Sequence, residues 1–177
     1  SILQGGTKIV STFATELQFL VFYEGKWQLD KDSSLHYNLK NFIAPITIGD
    51  GMSQKAYDQL RVGAKRYYYF MRPECQLYTK LFDEWSLEAK MLAQVASGPL
   101  LPLEQFGLGG VNSVRGYDNR ALNVDNGMVI NLDLETPKIN FDRKYYMKQT
   151  EKNMGFSGVM FADLGWGGTY KTSVSKG

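Results

Sequence analysis

Residues 84–95 read EWSLEAKMLAQV, and the alternation in this stretch decides the fold class. Trp85, Leu87, Ala89, Met91, Ala93 and Val95 fall on one side, opposite Glu84, Ser86, Glu88, Lys90 and Gln94, with Leu92 the one exception. A period of two belongs to a strand with one apolar face. At ~3.4 Å per residue the segment is long for a globular sheet, but it matches the roughly ten residues of a tilted membrane strand. Residues 128–135 repeat the pattern, with Met128, Ile130, Leu132 and Leu134 opposing Asn131, Asp133 and Glu135.

Four further segments follow more loosely. Leu17, Phe19, Val21 and Tyr23 alternate with Glu16, Gln18 and Glu24, and Leu35, Tyr37, Leu39 and Ile43 with Ser34, His36, Asn38 and Lys40. Leu60, Val62 and Ala64 alternate with Arg61, Gly63 and Lys65, so a strand is expected to run from there into Tyr67–Phe70. Phe156, Gly158, Met160, Ala162 and Leu164 oppose Ser157, Val159, Phe161 and Asp163. About six long strands result, joined by polar turns and one long loop, with no helix beyond a turn or two.

Composition narrows the classes. The 20 Lys+Arg against 18 Asp+Glu leave a net charge of +2, too small and too evenly spread to argue for nucleic acid. Cys75, the single cysteine, excludes an internal disulfide; it follows Pro73 in an expected turn. With the single His36 it cannot make a zinc site. No apolar run approaches the ~20 residues of a membrane helix, whereas alternating strands are compatible with the mean hydropathy of −0.30. The 14% aromatics, 11 of them Tyr, and the 18 Gly suit strands, turns and membrane interfaces. The chain opens at Ser1 without a methionine and stops at Lys176-Gly177, and it is read as an excerpt of a longer protein.

Alternation alone does not tell inside from outside. A soluble sandwich would put the apolar stripes inward, and an arc of a membrane barrel would put them against lipid. Long amphipathic edges are untenable in lipid, so the second reading requires neighbouring strands. Strand length and the aromatic rows at Phe19, Phe22, Tyr23 and Trp27 and at Tyr67–Phe70 favour the barrel.

The long loop, about residues 98–126, begins GPLLPLEQFGLGGVNSVRGY. Loops of this length are usually functional or disordered. Leu100, Leu101, Leu103, Phe106, Leu108, Val111 and Val114 argue that this one folds back and packs. Gly107, Gly109 and Gly110 are expected to permit tight turns, and Gly116 to let the backbone reverse beside Arg115.

Three stretches carry a family resemblance: PLLPLEQFGLGGVNSVRGY, GMVINLDLETP and GVMFADLGWGG. They resemble the barrel of two-partner secretion transporters, the haemolysin-activator or TpsB family, in the superfamily that includes the barrel-assembly insertases. Val114-Arg115-Gly116-Tyr117 matches the loop-tip motif, supported upstream by Gln105, Phe106, Gly109 and Gly110. Phe161, Asp163 and Gly165 match the inner-wall motif of a later strand. The resemblance is sharp from Pro99 to Gly168 and only a strand rhythm before that.

The resemblance implies an all-β, antiparallel transmembrane barrel of about sixteen strands, of which residues 1–177 form part of the one C-terminal barrel domain. It implies a bacterial outer-membrane location, a secreted exoprotein as partner, outer-membrane lipid as surroundings, and a loop folded into the lumen with Arg115 meeting Asp163. Arg suits such a latch because its planar fork grips a carboxylate bidentately. Glu88, Lys90, Asn131, Asp133 and Glu135 are candidate lumen-lining residues. No catalytic residue, metal, cofactor, small-molecule substrate or nucleic-acid partner is expected. There is no G-x-S-x-G elbow, and Gly107–Gly110 lacks the strand–helix setting of a phosphate cradle. The alternatives are an insertase of the same superfamily, a passive porin-like or structural barrel, and last a soluble β-sandwich.

Overall fold

A computed structural model of the chain describes residues 2–4, 7–9, 17–45, 53–141 and 154–171; Glu16 and the two chain ends lie outside them. The strands are β1 (Ile2–Gln4), β2 (Thr7–Ile9), β3 (Phe19–Gln28), β4 (Ser33–Ala44), β5 (Tyr68–Lys80), β6 (Ser86–Ala96), β7 (Phe106–Leu108), β8 (Leu122–Val124), β9 (Asn126–Glu135), β10 (Ile139–Phe141), β11 (Met154–Phe156) and β12 (Val159–Gly168). The six long ones form one antiparallel sheet in the order β12-β9-β6-β5-β4-β3, and the short ones pair as the ribbons β1-β2, β7-β8 and β10-β11. The long sheet is open, with β12 and β3 at its edges among the described residues.

Register sorts the side chains by chemistry. Lys26, His36, Gln76, Lys90, Asn131 and Asp163 stand side by side across the six strands, and Glu24, Asn38 and Glu74 form part of the next row. The opposite face carries Tyr23, Leu39, Cys75, Met91, Ile130 and Leu164. A one-residue slip would exchange these faces, so the register is strongly specified. On the apolar face Tyr37 lies over Gly25, where a Cβ would collide with the Tyr37 hydroxyl. Trp27 and Tyr23 tilt against the same ring, at centroid distances of 5.0 and 5.7 Å.

Three expectations are corrected. Residues 60–65 are not strand: Leu60 ends the helix α1 (Gln54–Leu60), capped by Ser53, whose Oγ accepts from Ala56 N at 3.2 Å. Gly63, with φ 76°, turns the chain, and Ala64 is buried in a cluster with Tyr57, Leu100 and Leu101. The apparent alternation there comes from a helix end followed by a turn. Cys75 is not in a turn but within β5, beside Tyr37 and Met91. Pro73 is accommodated because the β5–β6 ladder skips from Met71–Val95 to Glu74–Leu92, where proline has no N–H to give. The aromatic rows also divide: Tyr69 takes the apolar face, while Tyr68 and Phe70 are buried on the polar face with Phe42 stacked 4.5 Å from Phe70.

The long connection, residues 97–125, leaves the end of β6 and lies back on the polar face. It carries its own ribbon, β7-β8, whose Phe106, Leu108 and Val124 pack with Val114 on Val129 of β9. The wall provides for it: a Cβ on Gly127 would stand 2.8 Å from Val124 and 2.9 Å from Phe106, and one on Gly167 2.7 Å from Val124.

Candidate functional site: the loop on the polar face of the sheet

The site begins with alternation on β12. Phe161, Asp163 and Gly165 are two residues apart, so they share the polar face. Asp163 is all but buried, its side chain 3% exposed, and it receives three hydrogen bonds from Arg115: backbone N at 2.8 Å, Nε at 2.7 Å and Nη2 at 2.6 Å. Arg115 Nη2 also donates to Asp133 Oδ1 at 2.6 Å, and its guanidinium lies 4.0 Å over the Phe161 ring. Asn131 completes the shell, donating from Nδ2 to Asp163 Oδ1 at 2.7 Å and to the Ser113 carbonyl at 2.6 Å. Charge-assisted bonds of this length are the strong class.

The loop presents matching groups in sequence. Val114 fills the space over Gly165, where a Cβ would stand 2.7 Å away. Arg115 meets the carboxylates, and Gly116, with φ 88° and nothing crowding it, reverses the chain. Tyr117 stands away from the latch, 68% exposed. Arg115 sits on the loop, and the Asp163 and then the Asp133 carboxylates push its pKa further above the ordinary arginine range, so it stays cationic.

The supporting residues serve the loop's own fold. Gln105 is buried, and its carbonyl accepts from Arg120 Nη2 at 2.9 Å. Phe106 packs in the cluster on Val129. Gly109 and Gly110, with φ 101° and 99°, adopt the left-handed region; Gly109 N donates to Ser113 Oγ and Gly110 O accepts from Ser113 N. Of the candidate lining residues, Asn131 and Asp133 join Arg115 directly. Glu88 and Lys90 border a cavity of about 120 Å3 beside it, with Gln76 donating to Glu88 at 2.8 Å and Glu74 paired with Lys90 at 3.0 Å. Glu135 lies apart, accepting from Ser157 Oγ at 2.7 Å.

Haemolysin secretion/activation protein ShlB/FhaC/HecB is the family whose model matches residues 52–176, which take in the whole loop and both of its walls. The chain belongs to this family. It is an outer-membrane protein of the two-partner secretion transporters, a family of β-barrels, and among the described residues its antiparallel sheet is open. No curated protein and no solved structure matches the chain. Strands β3 and β4 precede the matched span and continue its sheet without a break in register.

Sequence reasoning missed a second set of polar groups at the loop's root. Asp125 is fully buried and accepts from Arg61 Nη1 at 2.5 Å and Nη2 at 2.7 Å, from Leu100 N at 3.0 Å and from Tyr170 N at 2.8 Å. Gln94, 1% exposed, accepts from Arg72 and donates to the carbonyls of Glu104 and Asp125. A buried carboxylate next to the strand start at Asn126 was the available signal, but its arginine lies 64 residues away in the chain.

Proposed function

We propose that this protein passes an unfolded partner exoprotein across the outer membrane through the barrel lumen, with the 97–125 loop as a plug held by Arg115 on Asp163 and Asp133. The observation that carries the reading is the fork of Arg115 on a carboxylate 3% exposed, made by a loop that lies along the polar wall. On this reading the polar face lines the lumen and the apolar face meets lipid. The residues 1–177 then belong to the one C-terminal barrel domain.

The latch stores no reaction. It holds the plug by a pair whose loss of one partner strands the other, and the cargo displaces it without a catalytic group or cofactor. Glu88 and Lys90, beside the cavity next to Arg115, give a moving chain mixed charges rather than a sticky apolar surface. Arg115→Ala and Asp163→Ala, each made in the full-length transporter co-expressed with its exoprotein, test the reading. Reduced or deregulated export together with faster protease cleavage within 109–117 supports it. Unchanged export and unchanged cleavage in both variants would sink it, and a defect in assembly of other barrels with export intact would favour an insertase.

A further inference from the structure

The loop is held at two places that differ in kind. At the tip, the side chains of Arg115, Asp133 and Asp163 are 24%, 33% and 3% exposed, against 16% for Arg61 and 0% for Asp125 at the root, and a cavity of about 120 Å3 opens beside Arg115 and Asp133. At the root, Asp125 is fully buried and every donor it meets comes from outside the tip. Arg61 belongs to the β4–β5 connection, Leu100 and Gln105 to the first turn of the loop, and Tyr170 to the chain beyond β12. The backbone N–H of Asp125 donates to the Gly168 carbonyl at 3.1 Å, and the Tyr170 hydroxyl donates to the Ala96 carbonyl at 2.7 Å, so β6, β9 and β12 are tied together here.

A second arginine reinforces the root. Arg72 lies against the stacked Phe42 and Phe70 rings, at 5.1 and 4.9 Å from their centroids, and donates to Gln94 Oε1 at 2.6 Å and to the Glu104 carbonyl at 3.0 Å. Between root and tip runs a closed neck: β7 pairs with β8, and Arg120 N donates to Gly109 O at 3.2 Å. Dry charge pairs with all their lone pairs met are far less screened than wet ones.

We infer that Asp125 and Arg61 are positioning residues that keep the root and neck of the loop, residues 98–108 and 120–125, on the wall while the tip at Arg115 leaves Asp163. The inference rests on the plug reading above and adds to it a division of the loop. The plug does not leave as a unit; a tip of about ten residues swings from an anchored neck.

Segment-resolved hydrogen exchange on the full-length transporter in detergent micelles tests the division without cargo. Arg115→Ala is expected to raise exchange about tenfold or more in residues 110–117 and to leave 99–108 and 121–125 at their original rates. Asp125→Asn, with Arg115 intact, is expected to raise exchange in 99–108 and 121–125. Should Asp125→Asn fail to assemble, Arg61→Gln and Gln105→Leu carry the same test, each removing donors while leaving the carboxylate. Equal acceleration across 98–125 in Arg115→Ala, or unchanged root exchange in the root variants, overturns the division. Export of the partner is measured separately: a divided exchange pattern with export intact in every variant sinks the plug reading and leaves the division standing.

Discussion

Gly165 of β12 is the seat of Val114: a Cβ at residue 165 would stand 2.7 Å from Val114 Cγ2. The two motifs therefore meet residue by residue, Val114 on Gly165 and Arg115 on Asp163 and Phe161. Gly165→Ala is expected to push Val114 back and with it the neighbouring fork of Arg115. Overpacking of this kind typically destabilises by ~1–3 kcal/mol. Thermolysin cleavage of the loop should rise in Gly165→Ala and return towards the original rate in Gly165→Ala/Val114→Ala. A loop equally closed in the single variant would mean that the wall, not Val114, gives way.

Graded changes at Arg115 separate charge from shape. Arg115→Lys keeps the cation but loses the planar fork that reaches both Asp163 and Asp133. Arg115→Ala leaves Asp163 with one backbone donor and Asn131. Breaking a buried pair on one side costs up to ~3–5 kcal/mol, an upper bound here because Arg115 is partly wet. Protease accessibility of the loop should order as Arg115→Ala above Arg115→Lys above the original chain. A lysine variant indistinguishable from the original would show that charge alone holds the tip.

The fold was legible where the period of two met little competition. Residues 86–96 and 126–135 alternate because one face meets charged neighbours and the other apolar ones, and that contrast is written along each strand by itself. Leu60–Lys65 misled because a helix end followed by a glycine turn mimics alternation over six residues. Pro73 misled in the opposite sense: a proline in a central strand reads as a turn until the skipped ladder position is seen. At the site, Arg115, Asp163 and Gly165 were legible as motif residues, whereas Asn131 and Asp133 were legible only as members of a polar face. Arg61, Arg72, Gln94 and Asp125 were not, since their partners are brought together by packing between connections far apart in sequence. Gly127 and Gly167 lie within β9 and β12, and their role as clearances for Val124 shows only once the loop is packed on the sheet.

Acid is expected to loosen the root. Burial raises the pKa of Asp125, but Arg61 and the N–H groups of Leu100 and Tyr170 outweigh it and hold the carboxyl below the usual range. A depressed folded pKa means stability that is fully present above the unfolded value of about 3.9 and is lost as pH falls through the folded one. Exchange in residues 99–108, corrected for its intrinsic pH dependence, should stay flat from neutral pH to about 4 and rise below that. Asp125→Asn should remove the acid step in this segment. A step that persists in Asp125→Asn would assign it to another carboxylate.

The two faces of the sheet make opposite demands on charge. Leu132 stands between Ala89 and Ala162 on the apolar face, and Gln76 between His36 and Lys90 on the polar one. An arginine facing lipid near the midplane destabilises a barrel by ~2–4 kcal/mol, whereas a lumen position is tolerant. Leu132→Arg should therefore lower the fraction folded into lipid vesicles, read by heat-modifiable migration, while Gln76→Arg folds like the original chain. Because the strands share one register, the same contrast should recur one strand away with Met91→Arg, whose side chain stands beside Ile130 and Cys75. Equal folding of all three variants would mean that the apolar face does not meet lipid.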